Sequence, residues 1–205
     1  MFLPARLFPN ESENYFTGLE YGLIAEILGR STLAPEATNC AAPDTGNMEL
    51  LAKYGTQKQK DQWLRPLLEG QIRSSFMMTE PDVASSDAKN IELDMKKSDD
   101  GKFWIINGRK WIQSGVADPR TKIYIVFGRS NPENDKANQH SVVLVPKDTP
   151  GITIKRIMSV YGYDDLPHSH GDVTFKDVRV PYENLIVGEV SHAVNALKTG
   201  VVDRW

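Results

Sequence analysis

The sequence predicts an α+β protein whose helices and strands are segregated along the chain. Three observations carry that expectation. Up to Gly70 the large apolar residues recur at helical spacing, and beyond it they alternate with polar ones, the period of a half-buried strand. Two tight-turn dipeptides, Asp100-Gly101 and Asn107-Gly108, punctuate the alternating region as in an antiparallel meander. The division expected is a helical part over residues 1–72, an antiparallel β-domain over 73–189 and a divergent tail over 190–205.

Residues 1 to about 16 are aperiodic and contain Pro4, Pro9 and Asn10, as in an irregular lead. Leu19, Leu23, Ile24, Ile27 and Leu28 then share one helical face, which predicts a helix over about 17–30 stopped by Gly29. Pro43-Asp44-Thr45 supplies start signals for a second helix carrying Met48, Leu50, Leu51 and Tyr54 and closed by Gly55. Thr56 and Gln59 form a capping-box pattern for a third, with Trp63, Leu64, Leu67 and Leu68 as its buried stripe. Pro66 lies inside that stripe and predicts a kink. After Gly70, strands are expected at Phe76–Met78, Ile91–Lys96, Phe103–Ile106, Lys110–Gln113, Ile123–Phe127, Val142–Val145, Ile152–Ile157 and Val173–Phe175. Seven or eight strands result, with 130–139 as a polar loop.

Composition narrows the function classes. A net charge of −3 without a basic run gives no footing for nucleic acid or an anionic membrane surface. The single cysteine, Cys40, cannot close an internal disulfide, which suits a reducing interior. No stretch reaches the roughly 18 apolar residues that a membrane-spanning helix needs. His168-Ser-His170, without Cys, Asp or Glu arranged around it, makes a poor metal site.

The chemistry concentrates in two stretches, Phe76-Met-Met-Thr-Glu-Pro-Asp-Val-Ala-Ser-Ser86 and Arg109-Lys-Trp-Ile-Gln-Ser-Gly115. Pro81 bars the preceding residue from helix and cuts the strand, so Thr79 and Glu80 sit where ladder partners are lost. Backbone N–H groups left there must find acceptors. A flavin offers such acceptors, while Ser85 and Ser86 carry hydroxyls for a pyrophosphate, and Trp111 has a broad face suited to covering a ring system. Each piece alone also fits an ordinary strand-to-turn junction and a core tryptophan.

Taken together and in order, these stretches, followed by Phe175-Lys-Asp-Val-Arg-Val-Pro181, Asn184 and Gly188, resemble the acyl-CoA dehydrogenase family. Asp82-Val-Ala-Ser-Ser-Asp87 and Asn39-Cys-Ala-Ala-Pro-Asp-Thr-Gly-Asn-Met48 are similar to the branch that includes animal family members ten and eleven. The resemblance implies FAD held on a β-domain between helical domains, and an acyl-CoA substrate oxidised at its α,β-bond in fatty-acid β-oxidation. By match to the family motif it implies a cofactor set of Phe76, Met77, Met78, Thr79, Ser85, Ser86, Trp111, Ile112 and Gln113, with Ser85 and Ser86 also facing the substrate. Gln113 stands where many relatives carry Thr or Ser, and Glu80 is read as an acceptor of backbone N–H groups, not as a base.

Further expectations follow from the resemblance. The C-terminal helical domain and its carboxylate base are expected beyond Trp205, and the chain is read as truncated at both ends. Partners implied are an electron-transferring flavoprotein and further copies in a homo-oligomer; the compartment implied is mitochondrial or peroxisomal, with the cytoplasm open. A second reading is a catalytically silent truncated isoform that binds flavin weakly or pairs with a full-length partner.

Overall fold

A computed structural model describes residues 16–187, so the expected lead, Gly188 and the tail lie outside the described residues. The first helix, α1, spans Gly18–Leu28 behind a complete Thr17/Glu20 capping box. A short helix not foreseen, α2, covers Ala34–Ala37; four residues entered through Pro35 are too few to show a period. The next, α3, runs Asp44–Tyr54, but its start differs from expectation. Pro43 makes no side-chain cap, and Asp44 is buried with its carboxylate on the Ser74 N–H and hydroxyl. The Thr56/Gln59 box opens α4, Gln57–Gln59. The kink expected at Pro66 takes the form of a π-turn over Lys60–Leu64, in which Arg65 N–H reaches the Lys60 carbonyl before α5, Arg65–Leu68.

Eight strands follow: β1 Arg73–Met77, β2 Asp94–Lys97, β3 Phe103–Ser114, β4 Thr121–Arg129, β5 His140–Pro146, β6 Ile152–Met158, β7 His170–Pro181 and β8 Leu185–Val187. They pair in the order β6-β7-β3-β2-β4-β5-β8, with β1 on β4. Most pairs are antiparallel as expected, while β1 and the start of β2 lie parallel to β4. Asp100-Gly101 turns the chain between β2 and β3, with Gly101 at φ 67°. Asn107-Gly108 does not turn it. The two strands expected on either side are one continuous β3, because Asn107 accepts the Asp177 N–H at 2.7 Å and donates to the Asp177 carboxylate, so β7 carries the ladder past the dipeptide. The register slips there instead, a bulge at which Gly108 lets Leu93 come close.

Side-chain alternation on β4 divides the interior. Ile123, Ile125 and Phe127 join Val142 and Leu144 against Leu50, Leu51, Leu64 and Leu67 of the helices. Tyr124 and Val126 face the opposite way, into a second core with Met77, Trp104, Ile106, Val173 and Val178. Both faces of β4 are therefore buried, which its near-continuous apolar run requires. The expected stripe of α1 behaves otherwise: Leu19 is 76 % and Ile27 64 % exposed, with no buried residue in that helix.

The β5–β6 turn depends on Gly151, at φ 95°, where an added Cβ would run into the Lys176 carbonyl. Gly151→Ala is expected to cost about 2–3 kcal/mol, from left-handed strain plus the backbone clash. A urea midpoint that falls with the slope unchanged would show it; an unmoved midpoint would refute it.

Candidate functional site

The edge of β4 is occupied twice by one stretch of chain. The first occupant, β1, runs along it as far as Met77, opposite Val126. The second arrives at Leu93, whose carbonyl accepts the Arg129 N–H at 2.7 Å, and continues as β2. Residues 78–92 leave the sheet between these points, and Pro81 enforces the departure. This excursion carries Met78, Thr79, Glu80, Ser85 and Ser86.

Side chains close its base. Glu80 accepts the N–H groups of Glu92 and Leu93, each at 2.8 Å, so the reading of Glu80 as an acceptor of backbone N–H groups agrees with the geometry. Lys110, from β3, donates to the Glu80 carboxylate and to the Met78 carbonyl, both at 2.8 Å. Gln113 accepts the Met78 N–H at 3.3 Å and donates to the Thr79 carbonyl at 3.0 Å and to the Trp111 carbonyl. The Trp111 N–H donates to that same Thr79 carbonyl at 3.0 Å. Ser85 takes the Glu80 N–H at 2.9 Å. At the far end His140 Nε2 donates to the Ile91 carbonyl at 2.9 Å; burial pushes its pKa down, with that bond pulling the other way.

What remains unengaged is specific. Among the described residues the Thr79 N–H, the Thr79 and Ser86 hydroxyls and the Trp111 indole N–H have no hydrogen-bond partner. Thr79 and Trp111 are half-buried and Ser86 is exposed, and Trp111 belongs to neither core. Phe76 and Met78 pack on the helix-side core, whereas the Met77 side chain is wholly inside the second core and can reach a ligand only through its backbone. Ser85 is spent within the excursion and Gln113 is buried with its amide on backbone groups.

A second irregularity lies beside Trp111. The β3–β7 register slips between Lys110 and Gln113, so those two residues point inward while Trp111 and Ile112 between them stay outside. Ile112 takes φ 54°, a left-handed backbone that a β-branched residue rarely adopts and that costs on the order of 1–3 kcal/mol. It is 42 % exposed, and its N–H meets the Met158 sulfur at 3.4 Å. Bulges of this kind re-aim a side chain beside a binding site.

Lys110 is the residue that sequence reasoning missed. It is fully buried, and burial pushes its pKa down to about 8 against the opposing pull of Glu80. A lysine inside a β-strand pattern usually marks the solvent face, but this one lies in phase with the buried Trp104 and Ile106 of the same strand, ahead of the slip. His168 and His170 do not converge. His168 pairs with Glu36 at 2.9 Å, and His170 meets Ser114 at 3.0 Å and Asp165 at 3.5 Å.

The donors and the half-buried indole fit a planar, acceptor-rich ring system. They provide N–H and O–H groups at a strand break and an apolar face beside them, without any phosphate loop. Among the described residues no helix is long and apolar enough to cross a membrane.

The chain is similar to known proteins along most of its length. Residues 13–71 match the N-terminal domain of the acyl-CoA dehydrogenases and residues 75–178 their middle domain. The chain is 56 % identical over 181 residues to a Mycobacterium tuberculosis protein named Probable acyl-CoA dehydrogenase FadE2, covering 88 % of this chain and 44 % of that one. It is 51 % identical over 189 residues to the mouse Acyl-CoA dehydrogenase family member 10, covering 92 % of this chain and 18 % of that one. A solved structure of an acyl-CoA dehydrogenase candidate from Mycobacterium abscessus superposes with a TM-score of 0.88 at 45 % identity, over 95 % of this chain and 47 % of that one. The chain thus spans less than half the length of these relatives. With the middle-domain match covering half of its residues, the chain belongs to the acyl-CoA dehydrogenase family.

Proposed function

We propose that this chain is the flavin-bearing part of an FAD-dependent acyl-CoA dehydrogenase acting on acyl-CoA thioesters in fatty-acid β-oxidation. The observation that carries the reading is the unpartnered Thr79 N–H and hydroxyl beside the outward-turned Trp111. FAD, when bound, supplies the hydride acceptor for oxidation of the thioester. Thr79 would donate to the acceptors of its ring, Phe76 and Met78 would meet it through their half-buried side chains, and Met77 through its backbone. Trp111 and Ile112 would shield it from water. Ser86 is the free hydroxyl for the pyrophosphate or the pantetheine of the substrate, and Ser85 would act there only by exchanging its bonds within the excursion. Gln113 would act on the ring indirectly, by fixing Met78 and Thr79.

Proton abstraction falls to a residue other than Glu80. Its carboxylate holds two backbone N–H groups and an ammonium and is 6 % exposed, so it is engaged within the interior and not presented to a substrate. An electron-transferring flavoprotein as electron acceptor and a homo-oligomeric assembly are the partners this reading carries. One observation favours the second reading, a silent chain that pairs with a longer partner: the exposed apolar residues of α1.

Titration of FAD against the chain, followed by quenching of flavin fluorescence, tests the proposal. Binding weakened about tenfold by Trp111→Ala is expected for loss of a stacked aromatic. Absence of binding, or binding indifferent to that substitution, would refute it. Bleaching of bound flavin by added acyl-CoA separates the dehydrogenase from the silent chain.

A further inference from the structure

We infer that Lys110 and Glu80 are positioning residues for the flavin, a buried pair that holds the strand break open so that the Thr79 donors are presented to the ring. The inference rests on the proposed flavin site and goes beyond it, since neither side chain is among the groups expected to touch the ligand.

The excursion leaves β4 after Met77 and returns at Leu93, and Glu80 reaches from just past its start to the N–H groups of Glu92 and Leu93 at its end. Those bonds cinch the base of the loop. Lys110 then ties the cinch to β3, through Glu80 and through the Met78 carbonyl. With Gln113 on the Met78 N–H and the Thr79 carbonyl, and Ser85 on the Glu80 N–H, the backbone from Met78 to Glu80 is held on both sides of the Thr79 N–H while that group itself is left free. Lys110 is 0 % exposed, so the pair is structural material of the interior and cannot serve as a surface charge. Apolar residues at these positions would strand the Glu92 and Leu93 N–H groups and the Met78 carbonyl, so the pair is what satisfies the backbone at the base of the loop. The retained ion pair fixes a conformation in which one donor stays unused.

The test is the double variant Lys110→Met/Glu80→Gln, which removes both charges together and so avoids a lone buried ion. Amide hydrogen exchange and FAD affinity are read in parallel. The expected result is faster exchange at Glu92, Leu93 and Trp111 with the β4–β5 amides unchanged. FAD affinity should fall roughly tenfold, the weight of one charge-assisted hydrogen bond, with a shifted visible band for any flavin still bound. Exchange that rises uniformly would show a merely structural role and overturn the inference, as would unchanged affinity and spectrum. Should the double variant fail to fold, Lys110→Gln/Glu80→Gln serves, because it too removes both charges while keeping a polar amide at each position. The same local exchange pattern and loss of affinity are then expected. If the native chain itself binds no FAD, the flavin reading falls; if it binds and the variants bind equally, only the positioning role falls.

Discussion

Replacing Arg73 by methionine is expected to lower the unfolding free energy by about 3–5 kcal/mol, the usual cost of breaking a buried ion pair from one side. The guanidinium, 8 % exposed, donates to Glu36 at 2.7 Å and to Asn39 at 2.6 Å and lies 3.7 Å from the Asp44 carboxylate. Each contact joins the helical part to the sheet: Glu36 is on α2, Asn39 in turn holds the Leu67 and Leu68 carbonyls at the end of α5, and Asp44 opens α3. Removal leaves Asp44 the most exposed to loss. Burial already raises its pKa, with the Ser74 bonds and then Arg73 opposing that rise. Glu36 is cushioned, because Arg120 at 2.6 Å and His168 at 2.9 Å also bind it. The melting temperature should fall on the order of 10 °C for a chain of this length. Arg73→Lys should recover only part of it, since an ammonium cannot span Glu36 and Asn39 as a planar fork does. A fall of no more than a degree or two in the methionine variant would show that the network is not what joins the two parts.

How much of this could be read from the residues differs from element to element. The Thr56/Gln59 capping box, the disruption at Pro66 and the Asp100-Gly101 turn are local devices whose partners lie within a few residues, and all three are present. Asn107-Gly108 has the same local signature and the opposite outcome. Asp177, 70 positions later, takes both polar ends of the Asn107 side chain, and no window of sequence contains that fact. Asp44 was legible as a residue suited to a helix start, but its carboxylate is drawn to Ser74 across 30 positions. At the site, the interruption at Pro81 and the acceptor role of Glu80 follow from proline stereochemistry and from the demand of stranded N–H groups. The inward turn of Lys110 does not, because its phase with Trp104 and Ile106 runs through Asn107-Gly108, which reads locally as a turn that would end the strand. The slip that follows Lys110 leaves Ile112 outside beside Trp111 and brings Gln113 inward, an exchange of faces that no sequence period contains.

The buried ammonium gives the fold a pH dependence of unusual sign. Burial holds Lys110 at about 8 in the folded chain, against an ordinary value of 10.5, with Glu80 pulling the other way. Between those two values the unfolded chain keeps a proton that the folded chain has released, so the unfolded state binds more protons and stability rises with pH. Below about 8 both states are protonated, the full cost of burying the charge is carried, and this group adds no slope. Above about 10.5 both are neutral and the slope vanishes again. The rise across the window should come to about 3 kcal/mol, the product of the separation and the energy of one pKa step. Other lysines and tyrosines titrate in the same range, so the quantity to measure is the difference in unfolding free energy between the native chain and Lys110→Met. That variant leaves Glu80 as an uncompensated buried carboxylate and should be several kcal/mol less stable at pH 7. The deficit should widen by about 3 kcal/mol as pH climbs from 8 to 10.5, because only the native chain is relieved of a charge. A deficit that stays level across that interval would place the Lys110 proton at its ordinary affinity, and one that narrows would mean that the Glu80 carboxylate outweighs burial and holds the ammonium charged.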